Sequence, residues 1–127
     1  MRLLLLIFLF PYGLFSQNIK HDWEKTFPGA GNKAIRATIE ATNGYLICVG
    51  ETTEKSQGGG DGLLLIADHS TGQIIAEKRF GGSKDDVLYA VAQTFEGDFL
   101  LAGATASTGK GKEDAWLVLV NERGEKI

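Results

Sequence analysis

The sequence has few cysteines and histidines, the residues that form disulfides and hold zinc. Of its 127 residues only Cys48 is a cysteine, so no disulfide can form within the chain. The two histidines, His21 and His69, have no cysteine or carboxylate partner at metal-ligand spacing. A formal net charge of -3 leaves no basic surface of the kind that binds nucleic acid. We therefore expect a fold held by packing, with no metal, no cofactor and no nucleic-acid partner.

Proline is also scarce, with two residues, whereas glycine is abundant, with 17. Glycine adopts the positive φ angles of tight turns, so this composition favours many short strands joined by turns. The length corresponds to one domain.

The first 17 residues are typical of a secretory signal peptide. Arg2 supplies a positive charge, residues 3–10 form an unbroken apolar run, and Pro11 and Gly13 follow it before Ser16. The alternative is a membrane anchor or a buried first strand, but a span needs about 20 apolar residues. We predict a signal peptide at residues 1–17, a secreted, periplasmic or cell-surface location, and no stable membrane span after cleavage.

The rest of the chain is a tandem repeat with a constant offset of 53 residues. Two copies aligned without gaps share, among others, nine pairs of identical residues, of which four are glycine pairs. A repeat of this length with glycines at fixed positions is typical of a propeller blade or solenoid unit. The pairs are Phe27 with Phe80, Gly29 with Gly82, Ala37 with Ala90, Gly44 with Gly97, Gly50 with Gly103, Thr52 with Thr105, Gly58 with Gly111, Asp61 with Asp114 and Leu64 with Leu117.

Each copy contains four predicted strands in a meander. The first strand, at residues 34–42 and 87–94, mixes apolar and polar residues and precedes a hairpin-turn pair, Asn43-Gly44 or Glu96-Gly97. A helix is the competing prediction for this first segment, because Ala, Glu and Gln permit it and apolar residues recur at helical spacing.

The second and third strands are continuous apolar runs, which predicts that neighbouring layers cover both of their faces. They lie at residues 45–49 and 63–67 in the first copy and at residues 99–102 and 115–120 in the second. The fourth strand, residues 73–80, carries Glu77, Lys78 and Arg79, and charges of this kind suit the outer edge of a sheet.

We therefore predict an all-β fold of tandem four-stranded antiparallel blades, a partial β-propeller of about two blades. Residues 18–127 form the repeat region, in which residues 18–27 align with the fourth strand and are predicted as the end strand of a preceding blade. Residues 28–80 are predicted as blade 1 and residues 81–127 as an incomplete blade 2. Two blades leave apolar faces open, which predicts self-association through them.

Three segments of the chain carry a family resemblance: residues 23–27 (WEKTF), 44–52 (GYLICVGET) and 111–124 (GKEDAWLVLVNERG). Together they resemble the β-propeller repeats of many secreted and cell-surface proteins of Bacteroidetes, in which Trp-x3-aromatic-Gly-Gly opens each unit. The resemblance implies an extracellular scaffold that is a fragment of a longer protein. The chain departs from the pattern at Pro28, which replaces the first glycine, and at Leu63, where the second unit has Trp116.

Three glycine-rich segments resemble ligand-binding loops, but the sequence of each one fits a turn better. Residues 105–112 (TASTGKGK) lack the spacing and the following helix of a phosphate-binding loop. Residues 29–34 formally match a dinucleotide fingerprint, but their repeat mate does not, which favours a turn between units. Residues 56–62 (SQGGGDG) offer one aspartate, too few oxygens for calcium. Asp61 and Asp114 are instead predicted to accept backbone N–H groups that pin these loops.

The predicted functional surface follows from the meander. The connections between the fourth and first strands and between the second and third strands emerge at one end, because an even number of reversals separates them. We predict that a ligand, either an extracellular protein or a glycan, contacts this end at Asp85, Asp86, Lys110 and Lys112. No catalytic constellation is visible, which favours a secreted non-catalytic binding scaffold. The alternative is a fragment of an extracellular propeller enzyme, a hydrolase or a kelch-type oxidase, with catalytic residues outside this chain.

Overall fold

The computed structural model describes residues 23–56 and 58–127, so the predicted signal peptide and residues 18–22 lie outside the described residues. The described part of the chain contains no helix with the length and hydropathy needed to cross a membrane. It forms seven strands: β1 (Lys33–Glu40), β2 (Tyr45–Thr52), β3 (Asp61–Asp68), β4 (Ile74–Phe80), β5 (Asp86–Gln93), β6 (Phe99–Thr105) and β7 (Asp114–Val120).

The strands form two antiparallel sheets. Sheet 1 has the order β1-β2-β3-β4 and sheet 2 the order β5-β6-β7, each a simple meander in which neighbours in sequence are neighbours in space. The all-β prediction is confirmed, and the two sheets are not closed into a barrel or ring. Charged strand β4 lies at the edge of sheet 1, as its composition predicts.

The first strand of each unit is a strand and not a helix. In β1, Ala37 and Ile39 pack into the core while Thr38 between them is exposed, which is the period of two that a strand requires. The turns after β1 and β5 contain Gly44 and Gly97 at φ of 84° and 99°, so the predicted hairpin turns are confirmed.

Both units carry the same irregularity next to a glycine. The register of β1 with β2 shifts between Ile35 and Ala37, and that of β5 with β6 shifts at the repeat-equivalent place. A Cβ on Gly50 would collide with the carbonyl oxygen of Ala34, and a Cβ on Gly103 would collide with the equivalent carbonyl of Val87. The repeated glycine is therefore required by the close approach of the bulged strand.

The main core lies between the two sheets. Strand β5 packs across β1, β2 and β3 of sheet 1. The ring of Trp116 and the side chain of Leu88 fill the space above Gly62, where a Cβ would approach Trp116 Cζ3 to 3.1 Å. Sheet 1 contributes Ile47, Val49, Leu64 and Ile66 to this core, and sheet 2 contributes Leu88, Phe99, Leu101, Val118 and Val120.

The outer face of sheet 1, which points away from sheet 2, has its own apolar cluster. Cys48, Leu63 and Leu65 are buried there, with Phe27 from the segment before β1 packed against them. Cys48 is therefore a core residue with a free thiol. Strand β3 is buried on both faces, which confirms the prediction from its continuous apolar run.

The same prediction is wrong for both apolar strands of sheet 2, since Leu100 in β6 is 37% exposed and residues of β7 are exposed as well. Leu117 and Leu119 alternate with buried Val118 and Val120 and are 67% and 40% exposed. Their face of sheet 2, which we call the open face, has no layer stacked on it among the described residues. An apolar run shows that a strand can be covered on both sides, whereas actual cover depends on a neighbouring sheet.

Candidate functional site

Three loops converge at one end of the two sheets, and we call this the loop end. They are residues 53–60, 81–85 and 106–113, which connect β2 to β3, β4 to β5 and β6 to β7. The Gly60 amide donates to Asp85 Oδ1 at 2.8 Å, and the Lys84 amide donates to Ser107 Oγ at 3.0 Å. The predicted convergence of these connections is thus confirmed, and hydrogen bonds link each loop to the next.

Asp86 is the centre of this network and is almost fully buried. Its carboxylate accepts hydrogen bonds from Ser107 Oγ at 2.6 Å, from the Gly82 amide at 2.9 Å and from Thr105 Oγ1. Burial by itself raises the pKa of Asp86, but the bonds from Ser107, Thr105 and Gly82 together hold the pKa below its ordinary value. Asp86 therefore fixes the positions of two loops.

A second buried carboxylate, Asp61, lies close to Asp86. Both approach Gly81, where an added Cβ would lie 2.5 Å from Asp86 Oδ2 and 2.8 Å from Asp61 Oδ1. Burial raises the pKa of Asp61, and the neighbouring charge of Asp86 raises it further, against a smaller opposing effect of Arg79. The sequence did not indicate this pair, because 25 residues separate its members and only the stacking of the sheets brings them together.

The repeat mate of Asp86 is Lys33, and it has the opposite charge. Lys33 Nζ lies 2.8 Å from Glu54 Oε2 and 3.2 Å from Glu77 Oε2. The ion pair with Glu54 outweighs burial and, with the help of Glu77, raises the pKa of Lys33. The same ion pair lowers the pKa of Glu54. Equivalent positions in the two units thus hold their loops with a cation in one and an anion in the other.

Asp85 and the lysines occupy the surface of the loop end. Asp85 is exposed and lies at a depression of about 280 Å³, lined by Asn32, Lys33, Ala34, Glu51, Thr53, Gly60 and Asp85. Lys110 and Lys112 are exposed on the third loop, and neither forms an ion pair within the described residues. The prediction that a ligand contacts these residues and Asp86 stays a prediction.

The two repeated aspartates differ in their loop contacts. Asp114 Oδ2 accepts the Gly111 amide at 3.2 Å, which confirms the predicted pinning of the third loop. For Asp61 no such bond is found in the part of the chain that the structure describes. The loop at residues 106–113 leads directly into strand β7, so the helix that a phosphate loop requires is not there.

The histidines do not form a metal site in residues 23–56 and 58–127. His21 lies outside the described residues, and His69 Nδ1 is 2.9 Å from Glu40 Oε1 on the surface. His69 also accepts, through its carbonyl oxygen, a hydrogen bond of 2.7 Å from Trp23 Nε1. Trp23 therefore anchors the segment before β1 to the turn after β3.

Comparison of the chain with protein-family models finds none that matches, and comparison with curated proteins finds no significant match.

Proposed function

We propose that the chain is a secreted, non-catalytic β-propeller repeat module that binds a ligand at the loop end. The observation that carries this proposal is the hydrogen-bonded platform of three loops around Asp86. Loops positioned by a rigid scaffold are common sites of recognition. Two stacked meander sheets with equivalent bulges and turns support the propeller architecture.

The chemistry of the depression at the loop end favours a glycan over a protein. Its volume of about 280 Å³ lies just below the usual range for small-molecule sites, which favours a small ligand such as one or two sugar units. Carboxylate, hydroxyl and amide groups line it, from Asp85, Glu51, Thr53 and Asn32. Such groups pair with sugar hydroxyls, which both donate and accept hydrogen bonds.

The test is a titration of the isotope-labelled chain with neutral and acidic oligosaccharides, followed by amide chemical shifts. We expect the largest shifts at Thr53, Gly60 and Asp85, and weaker binding in Asp85→Ala and in the double variant Lys110→Ala/Lys112→Ala. Glu122→Ala, at the opposite end of the sheets, is the matched control and should bind as the parent does. Shifts confined to that opposite end, or binding of none of the sugars, would contradict the proposal.

A further inference from the structure

The open face of sheet 2 is the repeat equivalent of the face of sheet 1 that sheet 2 covers. Its residues Leu100, Ala102, Leu117 and Leu119 are the mates of Ile47, Val49, Leu64 and Ile66. The four residues of sheet 1 are at most 2% exposed, whereas Leu100 and Leu117 are 37% and 67% exposed. One unit thus presents to solvent the aliphatic surface that the other unit uses to receive a sheet.

The outer hydrogen-bonding edge of β7 also lacks a partner strand within the described residues. Strand β3 pairs with β4 along residues 62–67, whereas in the described residues the outer edge of β7 has only the isolated bridge from Val120 to Lys126. A groove of about 180 Å³ follows this edge, lined by Trp116, Leu117, Val118, Leu119, Lys126 and Ile127. Main-chain groups along residues 114–118 are therefore available to a further strand.

The chain also contains a fourth-strand sequence that belongs to no strand. Residues 23–27 (WEKTF) align with residues 76–80 (AEKRF) at the end of β4, and they form no part of either sheet. Phe27, the mate of Phe80, packs on Leu63 and Leu65. Their mates Trp116 and Val118 share the inter-sheet core with Phe80. This segment therefore precedes sheet 1 in the way that β4 precedes sheet 2.

The segment cannot reach β7 of its own chain. Leu63 and Leu65 point to the opposite side of β3 from Leu64, which faces sheet 2, so sheet 1 lies between residues 23–27 and sheet 2. Beside the segment, Ile35 is 45% exposed on the outer side of sheet 1. Its mate is Leu88, which is fully buried between the sheets. The outer side of sheet 1 thus presents Ile35 at the position where its mate Leu88 makes contact in the interface between the two sheets.

We propose that a second copy of this chain docks head to tail, with its residues 23–27 along β7 and its Ile35 on the open face of sheet 2. Sheet 1 of the second copy then packs on sheet 2 of the first copy in the way that sheet 2 packs on sheet 1 within one chain. In the register of β3 with β4, the Phe27 of the second copy lies opposite Ala115 and its Lys25 lies opposite Leu117. Because the two surfaces differ, the association closes into a ring or continues as a filament. It uses other surfaces than the loop end and does not depend on a ligand there.

Sedimentation velocity over a series of concentrations tests the two surfaces. We expect the parent chain to assemble with rising concentration and both Leu117→Lys and Ile35→Lys to remain monomeric. Phe95→Lys, at an exposed turn away from both surfaces, is the control and should assemble like the parent. Melting of the dilute variants, monitored by circular dichroism, shows whether each one folds. A monomeric parent, or assembly of folded Leu117→Lys unchanged from the parent, would overturn the proposal.

A disulfide experiment tests the register and direction. In a Cys48→Ala background, chains with Lys25→Cys are mixed with chains with Leu117→Cys and oxidised. We expect a linked heterodimer from this mixture and none from Lys25→Cys with Phe95→Cys, because a disulfide needs Cα atoms within about 7 Å. Efficient linking of Leu117→Cys chains to one another would indicate a face-to-face dimer and would refute the head-to-tail arrangement.

Discussion

Strands β3 and β7 are the third strands of their sheets and are equivalent by the repeat, yet their environments differ. Strand β3 lies between the inter-sheet core and the cluster under Phe27, whereas β7 has one covered face and one open face. Both strands have the apolar composition of a strand covered on both sides. The difference shows that the sequence of a repeat unit makes both faces of its third strand apolar. Whether both faces are buried depends on whether a neighbouring unit stacks on them.

The repeat mates Leu64 and Leu117 offer the sharpest form of this comparison and the largest expected effect. Leu64→Ala removes a fully buried side chain and should cost about 2–5 kcal/mol of unfolding free energy. Leu117→Ala removes an exposed one and should change stability by no more than about 0.5 kcal/mol in dilute solution. Urea unfolding of both variants at low protein concentration is the measurement. Equal losses would show that the two faces are equally covered.

The next effect concerns Asp86, which holds two loops in the second unit. Asp86→Asn weakens the hydrogen bonds from Ser107, Thr105 and Gly82, and bonds to a charged partner contribute about 1.5–3 kcal/mol each. We expect a loss of this order in urea unfolding. Asp85→Asn, which affects one surface bond, is the control and should lose less. A stable Asp86→Asn variant would mean that the loops are held by other contacts.

The lowered pKa of Asp86 also predicts that the stability of the fold depends on pH in the acid range. The folded-state pKa lies below the ordinary value of 3.8, so the carboxylate stabilises the fold above that pH. This contribution is lost as the pH falls from 3.8 through the lower folded-state pKa. Stability measured against pH should therefore fall more steeply in the parent than in Asp86→Asn below this value. Parallel curves would contradict the role given to this carboxylate.

For Lys33, the repeat mate of Asp86, we predict a smaller change in stability, which occurs at alkaline pH. Its folded-state pKa is raised above 10.5, so its ion pair stabilises the fold below that pH and the stabilisation is lost as the pH rises through the folded-state value. Lys33→Met should cost about 1 kcal/mol at neutral pH, as a partly exposed ion pair does. Thermal melts at neutral and alkaline pH check it. A loss that persists undiminished at alkaline pH would assign Lys33 a packing role instead.

The smallest effect is expected at Asp61. Burial and the charge of Asp86 raise the pKa of Asp61, so its ionised form costs stability above its folded-state pKa. Asp61→Asn removes that charge and should raise the neutral-pH melting temperature slightly, by less than Lys33→Met lowers it. A lower melting temperature would show that Asp61 makes a contact that outweighs its desolvation.

The sequence predicted the strands and the loop end because both depend on local patterns that occur twice. Gly44 and Gly97 mark equivalent turns, and Gly50 and Gly103 mark equivalent bulges. The contacts of Asp86 with Ser107 were not predictable, because the repeat mates of these residues are Lys33 and Glu54 and have different chemistry. Sequence analysis predicted open apolar faces but not which strands carry them, since that depends on the stacking of whole sheets.

The central claim is that sheet 2 stacks face to face on sheet 1. The contact between Trp116 of sheet 2 and Gly62 of sheet 1 tests this claim most directly. The indole packs against Gly62, with Cζ3 3.1 Å from the position that an added Cβ would take. We predict nuclear Overhauser effects between the Trp116 ring protons and the α protons of Gly62, together with upfield shifts of those α protons. A folded protein that shows neither signal would contradict the stacking.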